Sequence, residues 1–227
     1  MSRLLSELQQ AIARYDLLSH PFYQAWSCGE LSREDPREYS TAYYQQVAAF
    51  PTFLSALHSR LADGELRRAV LRNLADEEID GRAHSDLWLD FAEAMGADAV
   101  EVRRPADSTM QRLTASFREI ASSGSLVAAL AAFYAYESQV PRVAASKVDG
   151  LVQWYGAQKN DKACRYFTLH TAADVQHSRV WAEELGKLVG NDEALRAEAV
   201  ASASRAAQAL WEALDGIEAA RQLRRAA

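Results

Sequence analysis

The stretch HTAADVQHSRVW, His170 to Trp181, spaces an imidazole, a carboxylate and a second imidazole at positions i, i+4 and i+7. An α-helix turns about 100° per residue, so all three side chains lie on one stripe. Two other segments carry the same residue types. In NLADEEIDGRAHSDLW, Asn73 to Trp88, Glu77 precedes His84 by seven residues, and seven helical steps return to within roughly 20° of the start. Asp80 also lies near the His84 face, as a possible partner one layer out from a ligand, whereas Glu78, about 120° away, faces solvent. In AALAAFYAYESQV, Ala128 to Val140, Glu137 follows almost wholly apolar turns, which predicts a buried carboxylate that needs a metal or a cation to offset its desolvation.

Each segment has a plainer reading when taken alone. The Glu77 segment also reads as a solvated acidic face with a surface histidine, and Glu137 as the partner of Arg142 or of an arginine on another helix. Together they change weight. Histidine occurs five times in 227 residues, and three of the five occupy these positions; His20 and His58 remain as surface or capping residues. Three carboxylates and three imidazoles converging in a helical bundle suit two transition-metal ions. The paired Glu-x2-His motifs of ferritin-like proteins and the His-Glu-x2-His of zinc proteases are both absent from the sequence.

Composition agrees with a soluble globular chain: 49% apolar and 25% charged residues. A net charge of −6 with a pI near 5.4 argues against nucleic acid as partner. Cys28 and Cys164 are far apart and form no disulfide framework or zinc-finger spacing, which fits a reducing cytoplasm. The N-terminal residues lack the apolar run of a signal peptide, and no stretch of transmembrane length is free of charges, so no membrane partner is expected.

The chain reads as helical nearly throughout, a single all-α domain over residues 1–227. A first helix is expected over about residues 2–16 and a second from His20-Pro21 to Cys28. Ser32 reads as the cap of a third helix, kinked at Pro51. A continuous helix follows from Asp63 through Glu77 and His84 to Met95. Ser108 and Ser125 cap the next two, and Pro141 breaks or bends the second of these, with helix continuing to Tyr155. Asp161 to Gly190 carries the His170 stripe, and Asp192 starts an Ala-rich final helix.

The order Glu77-x6-His84, Glu137, His170-x3-Asp174-x2-His177 resembles the haem-oxygenase-like diiron oxidases. Within them it is most similar to the family of the chlamydial protein associating with death domains and its bacterial relatives. The resemblance spans essentially the whole chain. It implies a haem-oxygenase-like (thiaminase-II/PQQ-synthase-like) seven-helix bundle in which these six residues hold two metal ions, Fe/Fe or Fe/Mn. It also implies dioxygen and an external reductant as co-substrates, and a homodimer is the assembly common for this fold. Members convert a tyrosine of their own chain into p-aminobenzoate, a folate precursor, with a lysine of the chain as nitrogen source. The matching positions are Tyr23 in HPFYQAW, Tyr136 immediately before Glu137, and Lys147 in VAASKVDG, with Tyr39 and Tyr43 as further aromatic candidates. Read without the resemblance, Tyr23 could be a packed core tyrosine and Lys147 a snorkelling surface lysine. Three alternatives are a diiron oxidase acting on an external amino acid or fatty acid, a metal-free thiaminase-like enzyme, and a partner-binding protein.

Overall fold

The structure, a computed structural model, describes residues 3–104 and 107–226. Its helices are α1 (Arg3–Ala13), α2 (Pro21–Ser27), α3 (Glu34–Arg60), α4 (Glu65–Glu78), α5 (His84–Ala94), α6 (Ala99–Val102), α7 (Ser108–Ser123), α8 (Leu126–Glu137), α9 (Val140–Trp154), α10 (Lys162–Val189) and α11 (Glu193–Ala226), with one 3₁₀ turn at Leu17–Ser19. Among the described residues there is no strand, and no helix is long and apolar enough to cross a membrane. If α4 with α5, and α8 with α9, are each taken as one interrupted rod, the long elements form the expected seven-helix bundle.

Helix α8 lies at its centre. Every residue from Val127 to Glu137 is buried, so this helix is apolar all round and needs neighbours on every side. It packs mainly against α10 and α11, while α3 lies against α7, α4 and α5. One contiguous hydrophobic core runs from Leu4 to Ile217.

The punctuation follows local chemistry. Ser125 accepts the Ala128 N–H at the start of α8, and Pro141 opens α9 after a break at Ser138–Gln139. Asp192 caps α11 by accepting the N–H groups of Ala194 and Leu195. His20 caps α2 through Nδ1, which accepts from Phe22 N–H, and its Nε2 reaches Asp215 at 3.0 Å.

Two expectations need correction. The helix drawn from Asp63 to Met95 is two helices. Ile79 and Asp80 N–H both return to the Ala75 carbonyl, and Gly81 adopts φ +106°, a conformation that side chains disfavour. Ser32 does not cap α3: its N–H and hydroxyl both donate to Asp35, which Arg224 also holds.

Candidate metal centre

Four helix segments deliver the six candidate ligands. Glu77 sits in the last turn of α4 and His84 on the first residue of α5, so the turn between them, rather than a shared helical face, brings them together. Glu137 ends α8, and His170, Asp174 and His177 line the inner stripe of α10. All six are buried. They form two triads, Glu77–His84–His170 and Glu137–Asp174–His177, each with its ligand atoms within 4.8 Å of one another. The structure thus brings Glu77 and His84 together, but through the turn and not through the seven-residue period. The α10 stripe holds as expected.

The electrostatics explain why this arrangement is costly without cations. Three carboxylates share one buried region, and burial together with Asp174 pushes the Glu137 carboxyl up to about 8. No arginine answers it. Arg142 pairs instead with Asp16, and the oxygens of Glu137 accept from Asn73 Nδ2 at 2.9 Å and from Trp181 Nε1. Several polar atoms facing the triads have no hydrogen-bond partner: His84 Nδ1, Asp174 Oδ2 and His177 Nδ1. His84 Nδ1 lies 2.9 Å from Glu77 Oε2 without hydrogen-bond geometry, and His177 Nδ1 lies 3.5 Å from Asp174 Oδ1. Atoms that converge without bonding one another are what a metal-binding set looks like. Imidazole and carboxylate donors fit iron, manganese or zinc.

Sequence reasoning missed the residues that hold this set. Asp80 is exposed in the α4–α5 turn. The outer partner is Asp76, whose Oδ2 lies 2.8 Å from His177 Nε2. Asn73 and Trp181 were not singled out either. Each stands four residues from a ligand on its own helix, a spacing that could have suggested them. Tyr166, four residues before His170, stacks on that imidazole at 4.0 Å and accepts its Nδ1–H through its backbone carbonyl at 2.7 Å.

Beyond Tyr166 lies a layer of aromatic rings. Tyr23, Tyr39, Tyr43, Tyr136 and Tyr166, with Lys147, line a cavity of about 30 Å³. The hydroxyls of Tyr23 and Tyr39 are 3.1 Å apart. Burial raises the pKa of all five phenols, so they keep their protons. Lys147 is not a snorkelling surface residue. It is 3% exposed, and its Nζ has no hydrogen-bond partner. That nitrogen lies 3.7 Å from the Tyr39 ring centre, 4.3 Å from that of Tyr23 and 4.6 Å from that of Trp26. Burial drives its pKa well below the usual lysine value.

A helical bundle that buries two carboxylate–imidazole triads has the donor set of a dimetal protein. Residues 37–211 match the family of iron-containing redox enzymes with the haem-oxygenase-like fold, and the chain belongs to that family. Among its relatives is the 4-aminobenzoate synthase of Nitrosomonas europaea, 40% identical over 222 residues that cover 93% of this chain and 89% of the relative. The 4-aminobenzoate synthase of Chlamydia trachomatis is 41% identical over 177 residues, 77% of this chain and 76% of the relative. A TenA homologue from Pseudomonas syringae pv. tomato superimposes with a TM-score of 0.81 over 94% of this chain and 90% of its own. At 22% identity that likeness speaks for the fold alone.

Proposed function

We propose that this chain is an oxygen-dependent dimetal oxidase that makes 4-aminobenzoate, the product named for its Nitrosomonas and Chlamydia relatives. In this reading the ring comes from its own Tyr23 and the nitrogen from Lys147. The observation that carries the reading is the unpartnered, buried Lys147 amine set against the faces of Tyr23 and Tyr39.

The atoms of the product support this source. A tyrosine side chain is a ring with one carbon, Cβ, para to an oxygen; 4-aminobenzoate is a ring with one carbon para to a nitrogen. Cβ is thus oxidised to the carboxyl carbon as the Cα–Cβ bond breaks, and Oη leaves as water while Lys147 Nζ takes its place. The Cε–Nζ bond breaks in turn and leaves Cε as an aldehyde, with dioxygen as the oxidant for both carbons. Glu77, His84 and His170 would hold one ion and Glu137, Asp174 and His177 the other, as two irons or one iron and one manganese. When bound, such a pair supplies the oxidising capacity of dioxygen, and an external reductant restores its reduced state.

The protein's own part is positioning and protonation. Burial disfavours the ammonium form of Lys147, so its lone pair is more available than that of a solvated lysine. Held beside the ring, it acts at a high effective concentration. Tyr39 shares a hydrogen bond with the Tyr23 hydroxyl and fixes its orientation. The cavity at this ring layer has space for roughly a water or two, whereas pockets for external ligands measure on the order of 300–1,000 Å³. A substrate supplied by the chain itself needs no such space. Consumption of Tyr23 limits each chain to one turnover.

The test loads metal-free protein with Fe(II), or with Fe(II) and Mn(II), adds reductant and oxygen, and assays 4-aminobenzoate. Intact-mass and peptide measurements should find the modification at Tyr23. A Tyr23→Phe variant that forms product as well as the parent does would defeat the proposal.

A further inference from the structure

We infer that Asp76 is a positioning residue that makes His177 bind its ion through Nδ1, while His170 binds through Nε2, so that the two histidines of α10 use opposite imidazole nitrogens. The inference rests on the assignment of the two triads as metal ligands in the proposed function.

A neutral imidazole carries one proton, and the partner of one nitrogen decides which nitrogen stays free. His170 Nδ1 lies 2.7 Å from the Tyr166 carbonyl, which can only accept. The proton is therefore on Nδ1, and Nε2 is left for the triad with Glu77 and His84. His177 is held the other way round. Its Nε2 lies 2.8 Å from Asp76 Oδ2, and a carboxylate also accepts, so the proton is on Nε2. Its Nδ1 faces Asp174 Oδ1 at 3.5 Å and Glu137 Oε1 at 3.8 Å, with no hydrogen bond to either.

Asp76 is suited to the task because its side chain is 44% exposed. Its charge stays solvated, so it orients a buried ligand without adding a fourth carboxylate to the interior. The same edge of α4 supplies Asn73, one turn earlier, which donates to Glu137 Oε1 at 2.9 Å. One short run of α4 thus provides a ligand to the first triad, Glu77, and holds two ligands of the second.

The test uses the full chain as parent, Asp76→Asn and Asp76→Ala. Each is loaded anaerobically with Fe(II), dialysed against falling Fe(II), and its metal content measured. The parent should hold two ions. Asp76→Ala should weaken one of them by about 10- to 100-fold, as loss of a ligand's outer partner does. Asp76→Asn, whose amide oxygen still accepts from Nε2–H, should stay near the parent. Nitrogen-15 spectra of the histidine-labelled, Zn(II)-loaded parent and Asp76→Asn should show His177 coordinated at Nδ1 and His170 at Nε2. The inference fails if Asp76→Ala keeps both ions at parental affinity, if Asp76→Asn is as weak as Asp76→Ala, or if His177 coordinates through Nε2. A parent that binds fewer than two ions would overturn the triad assignment as well. Melting of the metal-free variants, each expected to unfold in one cooperative transition like the parent, separates misfolding from lost binding.

Discussion

Replacing Lys147 by methionine should make the metal-free protein more stable while ending product formation. The lysine Nζ sits among the rings of Tyr23, Trp26, Tyr39 and Phe167 and bonds to nothing. A buried polar group left without a partner costs about 1–3 kcal/mol. Methionine has similar length, no donor to satisfy, and gains about 0.3–1.5 kcal/mol from sulfur–ring contacts. The variant should therefore gain about 1–4 kcal/mol near neutral pH, at about 2–4 °C of melting temperature per kcal/mol for a chain of this size.

The pH dependence gives the sharper test. Burial holds the Lys147 pKa well below its unfolded value of 10.5. Between the folded and unfolded pKa values the unfolded chain binds the extra proton, so parental stability rises with pH, by up to about 1.4 kcal/mol per unit. The advantage of Lys147→Met should accordingly shrink as pH is raised. Urea unfolding of metal-free parent and variant at about pH 7 and about pH 9.5 measures both effects. A variant that is less stable near neutrality, or whose margin ignores pH, would mean that Lys147 is not a neutral, unpartnered amine. The argument that it can supply nitrogen would then fall.

Other outcomes follow from single contacts. Glu137→Gln should remove a pH dependence from the metal-free chain: with its pKa raised from 4.5 to about 8, first by burial and then by Asp174, the folded parent keeps a proton that the unfolded chain releases. Parental stability should thus fall as pH rises through that window, the variant's curve should be flatter, and metal analysis should show one ion lost. Gly150→Ala should cost about 1–3 kcal/mol in urea unfolding, because a Cβ there is driven into the Trp26 indole, which donates to the Lys147 carbonyl at 3.3 Å.

What the sequence revealed, and what it hid, divides along the range of the interactions. The α10 stripe was legible because three ligands on one uninterrupted helix need only the helical period. Helix α8 was legible because a carboxylate after eleven mostly apolar residues has to be buried. The segment from Asp63 to Met95 was misread because Gly81 stands inside an otherwise regular pattern, and a single glycine lowers helix propensity by only about 1 kcal/mol. Once the chain turns there, Asp80 leaves the His84 face for solvent. Asp76 meets His177, a residue 101 positions away, which no local spacing announces. Lys147 was partly legible: it shares the inward stripe of Val143, Ala144, Val148 and Leu151, a register that already argued against a surface lysine.

The buried ionisable groups of this core have two different explanations, and that difference favours an internal substrate. Two metal ions would offset Glu77, Glu137 and Asp174, so the carboxylates need nothing beyond a dimetal site. They cannot offset Lys147, because a cation gives no stabilising partner to an amine. An oxidase acting on an external molecule therefore explains the triads and leaves the lysine as an uncompensated cost in the core. A reaction that draws on Tyr23 and Lys147 explains both. It also fits the position of Tyr166, which stacks on His170 and also lines the cavity that Tyr23 and Lys147 share.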